Sequence, residues 1–285
     1  MRALALVEHW PVPHSAAGVV CLERDGTAAS VADCVGDAHR LFAWASLSKM
    51  LVALALLVAC EERAVDLDEP AGPPGSTVRH LLAHASGLSP DAPVPITAPE
   101  RRRIYSNAGF EVLARHLAHR SGMTFVEYLH EGVLRPLGMT RTVLPLDASP
   151  ASGVMGPLAD LLALGRELLV PVLVSAGTLA EATSVAYPGL AGVLPGFGRY
   201  DPCDWGLGPE VKGAKVPHWT GAANGPTTFG HFGRSGSFLW VDPEAGVACG
   251  ALGDLAFGPW AAEAWPPLAD AVIAQWGRGS ASTFA

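Results

Sequence analysis

Lysine is scarce in this 285-residue chain: of 19 basic side chains only Lys49, Lys212 and Lys215 are lysines. The bias towards arginine reads most simply as codon composition, so each surviving lysine position carries extra information. Charge of any kind is sparse, at 16% against a usual share of about 25%, while 49% of residues are apolar. Such a chain buries much of itself, and disorder is excluded. There is no excess of positive charge; 19 basic against 27 acidic residues give a net charge of −8, which excludes a sequence-independent nucleic-acid binder. Long apolar runs are missing too. The longest, Met50 to Cys60, covers 11 residues, short of the roughly 20 that cross a bilayer. The start, from Met1 to His9, reaches a charge at Glu8 after five apolar residues, short of a signal core of about 7–15, so no export signal is expected. Cys21, Cys34, Cys60, Cys203 and Cys249 contain no C-x-x-C pair, which fits neither a disulfide framework nor a zinc site. A reduced, cytoplasmic protein without metal or other cofactor is the expectation.

What is present reads as an α/β chain. Residues 17–35 alternate around Asp25-Gly26 as a β-hairpin. Phe42 to Glu62 has no Gly or Pro and is apolar on all sides, the pattern of a helix buried in the middle of the protein. Helical patterns follow over 77–84, 107–120, 125–134 and 157–169, each stopped by Gly or Pro. Short strands are expected over 237–242 and 246–252, and a helix bearing Trp260, Trp265 and Trp276 closes the chain. Hairpins at the two ends predict one antiparallel sheet built from both termini and flanked by helices. The expected division is an α/β part over 1–70 and 185–285 and an all-helical part over 71–184, within a single catalytic domain.

Three short elements carry chemistry: Ser46-Leu47-Ser48-Lys49, Tyr105-Ser106-Asn107 and His231-Phe232-Gly233. At i and i+3 on one helical face Ser46 and Lys49 can meet. Ser46 is expected at the start of the buried helix, where backbone N–H groups favour an oxyanion. Desolvation would lower the pKa of Lys49 and make a neutral amine available as base. Ser48 is the rival hydroxyl, but as the immediate neighbour of Lys49 it does not face it. Tyr105 can relay a proton to a leaving group, with Lys49 and His231 stabilising its phenolate.

In this order the motifs resemble the serine β-lactamase and penicillin-binding-protein superfamily, specifically the class C β-lactamase-like branch of esterases, D-aminopeptidases and transacylases. Residues 78–88, 134–139 and 230–236 are similar to that branch as well, and the resemblance covers roughly residues 15–275. It implies Ser46 as acyl-forming nucleophile, Lys49 as its base, Tyr105 as proton shuttle, and Asn107 as holder of Lys49 or of a substrate carbonyl. His231 would stand where β-lactamases place a lysine, and Gly233 and Arg234 would border the substrate. The oxyanion hole would be the backbone N–H groups of Ser46 and Arg234. The implied fold is an α/β domain plus a helical domain with the site between them.

The implied activity is a metal-independent serine hydrolase acting on a small ester or amide, with a small-molecule acyl substrate and neither nucleic acid nor membrane as partner. A transacylase, a β-lactamase or D,D-peptidase or D-aminopeptidase, and a non-catalytic ligand-binding descendant are the alternatives. Histidine in the third motif and the absence of an export signal weigh against the antibiotic reading. Simpler readings stand beside the functional ones: a helix cap at Asn107, a structural His231, a solvated cluster at Arg101-Arg102-Arg103, and core or cleft-wall roles for Trp205, Trp219 and Trp240. His80 and His84 have metal-ligand spacing, but no further ligand is evident.

Overall fold

The computed structural model describes residues 2–278. After a 3-10 helix at Ala3–His9, strands β1 (Ser15–Leu22) and β2 (Ala29–Val35) form the expected hairpin. A short β3 (Phe42–Ala43) and a 3-10 turn at Ala45–Leu47 lead into α1 (Ser48–Glu61). The expected helix over 42–62 therefore begins six residues late, and Ser46 lies on the tight turn before it. Next come α2 (Val78–Leu82), α3 (Asn107–Ser121), α4 (Phe125–Leu129) with a π-turn at His130–Leu134, β4 (Met155–Gly156), α5 (Leu158–Leu169) and α6 (Ala176–Thr183). The chain finishes with β5 (Gly192–Leu194), β6 (Gly198–Tyr200), β7 (Glu210–Val211), β8 (Phe229–Gly233), β9 (Ser237–Asp242), β10 (Val247–Gly253) and α7 (Pro259–Trp276).

Both chain ends share one antiparallel sheet, ordered β2-β1-β10-β9-β8-β7. Its central strands are buried on both faces, and successive side chains alternate between two cores. Val20, Leu239, Val241, Ala248 and Leu252 join the core that holds α1, α3 and α5. Val19, Phe238, Trp240, Cys249 and Ala251 join a second core with α7 and the N-terminal 3-10 helix. Helix α5 lies so close to the sheet that a Cβ at Gly18 would come within 2.6 Å of Leu162 Cδ1. Among the described residues no helix is long and apolar enough to cross a membrane.

Helix α1 is buried on every side from Ser48 to Ala59, as its lack of polar periodicity requires. Its N-terminal approach is laced to two distant segments. The Trp44 N–H donates to the Val154 carbonyl at 2.9 Å and its indole Nε1 to the Gly156 carbonyl at 3.1 Å. On the other side the Ser237 hydroxyl donates to the Trp44 carbonyl at 3.1 Å. Gly233, at the end of β8, fits directly against this turn. A Cβ there would stand 2.4 Å from the Trp44 carbonyl oxygen and 2.5 Å from Ser237 Oγ. Gly233→Ala is therefore expected to lower stability by about 1–3 kcal/mol, the usual range for overpacking, and to push the turn at Ser46 out of place. Urea unfolding together with labelling of Ser46 by a fluorophosphonate checks both effects.

Candidate active site

Ser46 is presented by strained backbone: Ala45, immediately before it, has φ 48°, a conformation that non-glycine residues adopt only when held there. The Ser48 hydroxyl does the holding. It donates to the Ala45 carbonyl at 2.6 Å and accepts from the Val154 N–H at 3.1 Å. Ser48 is thus a structural brace, and Ser46 is the hydroxyl that faces Lys49.

Lys49 is completely buried. Its Nζ donates to Asn107 Oδ1 at 2.7 Å and to the Ala151 carbonyl at 2.9 Å, and stands 3.4 Å from Ser46 Oγ. Burial lowers its pKa from the ordinary lysine value to about 7, against the opposing pull of Glu111 and Asp91. Neither carboxylate touches it. Asp91 accepts from Asn107 Nδ2 at 2.8 Å, and Glu111 accepts from Ser149, whose hydroxyl also receives the Ala151 N–H. Asn107 is free for this task because the helix cap is Ser106: its Oγ accepts the Gly109 N–H at 3.0 Å and donates to the Ser89 carbonyl at 2.6 Å.

Tyr105 donates its hydroxyl to Ser46 Oγ at 2.8 Å, and Lys49 Nζ lies 4.8 Å from its ring centre. Burial raises its pKa above the ordinary phenol value, so the resting side chain is a neutral donor. His84, which the sequence offers as one of a metal-spaced pair and as part of the family-like stretch 78–88, clamps Tyr105 from both flanks. Its carbonyl accepts the Ile104 N–H at 2.9 Å and its Nδ1 accepts the Ser106 N–H at 3.1 Å, while its ring packs 4.7 Å from that of Tyr105. His80 points elsewhere, to Thr77 and Glu100. Of the arginine run, Arg101 and Arg102 are exposed, as a solvated cluster would be, but Arg103 is buried. Its guanidinium donates to the carbonyls of Ala83, Ala186, Tyr187 and Cys203, which ties the loop before β5 and the one after β6 beneath Tyr105.

His231 reaches the cleft from β8. Its Nδ1 must carry a proton, because its partner at 2.8 Å is the Phe232 carbonyl oxygen. Burial, reinforced by the charge of Lys49, pushes its pKa down to about 3. A neutral imidazole with its proton already committed offers no positive charge to a Tyr105 phenolate, so the expected contribution of His231 to that stabilisation is not available and Lys49 remains. Behind His231 lies a network that the sequence did not announce. Buried Glu210 accepts from Lys215 Nζ at 2.7 Å, from His218 Nε2 at 3.0 Å and from Trp219 Nε1 at 3.0 Å. Burial alone would raise this carboxyl, yet its partners hold it at about 2. The only sequence signal was the rarity of lysine.

Ser46, Tyr105, Asn107, His231 and Arg234 line one cleft of about 450 Å³, a volume suited to a small molecule. Lys49 and Gly233 lie beneath that lining: Lys49 meets Ser46 from the buried side, and Gly233, expected to border the substrate, packs against Trp44 and Ala45 instead. Arg234 is exposed at the rim, and among the described residues lining the cleft it is the one cationic side chain. A hydroxyl between an amine titrating near neutrality and a phenol donor is equipped for acyl transfer.

Known proteins share the family and the fold. Residues 35–272 match the family described as Beta-lactamase. A crystal structure of a beta-lactamase from Mycobacterium bovis shares 49% identity, with TM-score 0.92 over 96% of this chain and 99% of that one. Simvastatin synthase from Aspergillus terreus has the same fold at 17% identity, with TM-score 0.77 over 96% of this chain and 97% of that one. EstCE1, described as a hydrolase with promiscuous acyltransferase activity, has it at 17% identity, with TM-score 0.76 over 95% and 97%. Penicillin-binding protein 4* of Bacillus subtilis is 31% identical over 138 residues, 36% of this chain and 30% of that protein's length.

As a base for Ser46, the role expected of it, Lys49 can act only as the neutral amine. Phosphonylation of Ser46 by a fluorophosphonate is therefore expected to rise about tenfold per pH unit below pH 7 and to level off above it, following the pKa of about 7. Asn107→Asp places a carboxylate against Nζ, favours the ammonium, and should move that midpoint upward by about one unit or more; rates measured from pH 5 to 10 check the direction.

Proposed function

Because the chain belongs to the beta-lactamase family of serine hydrolases and acyltransferases, we propose that it forms an acyl-enzyme at Ser46 and hydrolyses a small ester or amide. The observation that carries this reading is Ser46 Oγ between Tyr105 Oη at 2.8 Å and a buried Lys49 Nζ at 3.4 Å. In acylation the Ser46 proton passes to neutral Lys49 and Oγ bonds to the acyl carbon. The backbone N–H groups of Ser46 and Arg234 receive the oxyanion. The bond to the leaving group breaks as that group takes the Tyr105 proton, and the new Lys49 ammonium stabilises the phenolate. In deacylation water gives a proton to Tyr105 and its oxygen to the acyl carbon, and Ser46 departs with the proton held by Lys49. All three groups return to their starting states.

An acyl acceptor other than water would use the same steps, which is the transacylase reading; the apolar walls beside Tyr105 favour it for an apolar alcohol or amine. His231 supplies no cation at the position where β-lactamases place a lysine, which weighs for an ester over a β-lactam or D-peptide. The five cysteines are free, in keeping with a reducing, cytoplasmic setting.

Ser46→Ala should lower turnover of a p-nitrophenyl acyl ester by about 10³-fold or more and abolish the acyl adduct seen by mass spectrometry after a rapid quench. Lys49→Arg should equally prevent acylation, because a guanidinium stays protonated. Full turnover in Ser46→Ala would overturn the reading, and rapid nitrocefin hydrolysis by the unaltered protein would replace it with the β-lactamase alternative.

A further inference from the structure

The cleft continues past Tyr105 into a second groove of about 470 Å³. Tyr105, Pro90 and Pro195 line both, whereas Ser46, Asn107, His231 and Arg234 line the cleft alone. The groove therefore adjoins the residue proposed to give its proton to the leaving group and lies away from Ser46 and Arg234. Its wall is apolar, lined by Ile104 and by Ile96 and Val193, the last two each more than half exposed. An exposed apolar surface of this kind beside a reactive centre is a recognition surface.

Two arginines stand in that wall. Arg102 precedes the buried Arg103, whose pairing with Gly192 fixes the segment against β5; Arg199 is the cross-strand partner of Val193 in the β5–β6 hairpin. Both are exposed, and among the described residues neither guanidinium has a hydrogen bond or ion pair. In a protein of net charge −8, two unpaired arginines from separate segments on one apolar groove form a local positive field.

We propose that this groove binds the leaving-group half of the substrate, an alcohol or amine with an apolar body and a carboxylate that pairs with Arg102 and Arg199. The proposal rests on the acyl-enzyme reading above. Chemically nothing is added to that sequence: the ester oxygen or amide nitrogen leaves with the Tyr105 proton, and the carboxylate stays ionised throughout. By microscopic reversibility an acyl acceptor with the same apolar and anionic parts enters the same groove. A planar guanidinium fork matches a carboxylate in a way that solvated lysines would not.

The test compares kcat/KM for the O-acetyl ester of 3-(4-hydroxyphenyl)propanoic acid with that for its methyl ester, which has the same aryl leaving group without the charge. The unaltered protein is expected to prefer the acid by about tenfold or more, a ratio typical of a charge-assisted contact. In R102A/R199A the ratio should fall to near one; circular dichroism and thermal melting confirm that this exposed pair does not disturb the fold. Equal turnover of the two esters by the unaltered protein would overturn the proposal, as would a preference that survives R102A/R199A and disappears in R234A. A charge at the acyl end provides the control, with p-nitrophenyl hemisuccinate set against p-nitrophenyl butyrate. A preference for the hemisuccinate that is lost in R102A/R199A would assign the groove to the acyl half and overturn the proposal as stated. Fluorophosphonate labelling separates the two levels. Labelled Ser46 with no charge preference refutes only the groove assignment, whereas unlabelled Ser46 without ester turnover refutes the acyl-enzyme reading on which it stands.

Discussion

The exclusion of water from one amine organises this molecule. Lys49 has three acceptors for its three possible protons, Asn107 Oδ1, the Ala151 carbonyl and Ser46 Oγ, yet no carboxylate in contact. A direct ion pair would fix the ammonium and leave it useless as a base. Complete desolvation without any acidic influence would make it a permanent amine, unable to return a proton. Asp91 and Glu111 act at one remove, through Asn107 and through Ser149, and the group titrates between those extremes. An apolar helix with no polar face is what makes this possible, since α1 must be surrounded by other elements at its lysine end as well as along its length.

The surrounding parts are held in place by contacts that no single segment contains. Ala45 and His84 both adopt left-handed backbone, at φ 48° and 55°, and each adjoins or clamps a reacting side chain. Such strain persists only where neighbours over-determine it: Ser48 and Val154 at the first, Ile104 and Ser106 at the second, and it is the proposed reactivity of Ser46 and Tyr105 that this strain would serve. Arg103 satisfies a buried charge wholly with carbonyl oxygens, so the loops around β5 and β6 are fastened to the strand of chain that delivers Tyr105.

Legibility in the sequence followed the range of the interactions. The hairpin around Gly26, the all-apolar α1 and the shared sheet of the two termini could be read because alternation and periodicity are local properties. The meeting of Ser46 with Lys49 was legible for the same reason. The late start of α1 was not, because it depends on Val154, more than 100 residues away, bonding to Ser48. Sequence alone lets Asn107 stand as a cap; in the fold Ser106 fills that place and leaves Asn107 to Lys49. The charge state of His231 is set by burial and by the neighbouring Phe232 carbonyl, and neither is encoded in H-x-G. Arg101, Arg102 and Arg103 are identical letters with different environments, and only the loops packed over Arg103 distinguish it from its neighbours.

The rarity of lysine has a last consequence. Lys49, Lys212 and Lys215 are all buried, and the latter two clamp the carbonyls of the loop between Asp204 and Asn224. No lysine amine is displayed on the surface, although every lysine in the chain lies among the described residues. Arginine is a poor nucleophile because its guanidinium stays protonated. On the proposed acyl-enzyme reading the protein exposes no lysine for a stray acyl group to modify, and its surface charge is insulated from the chemistry of that intermediate.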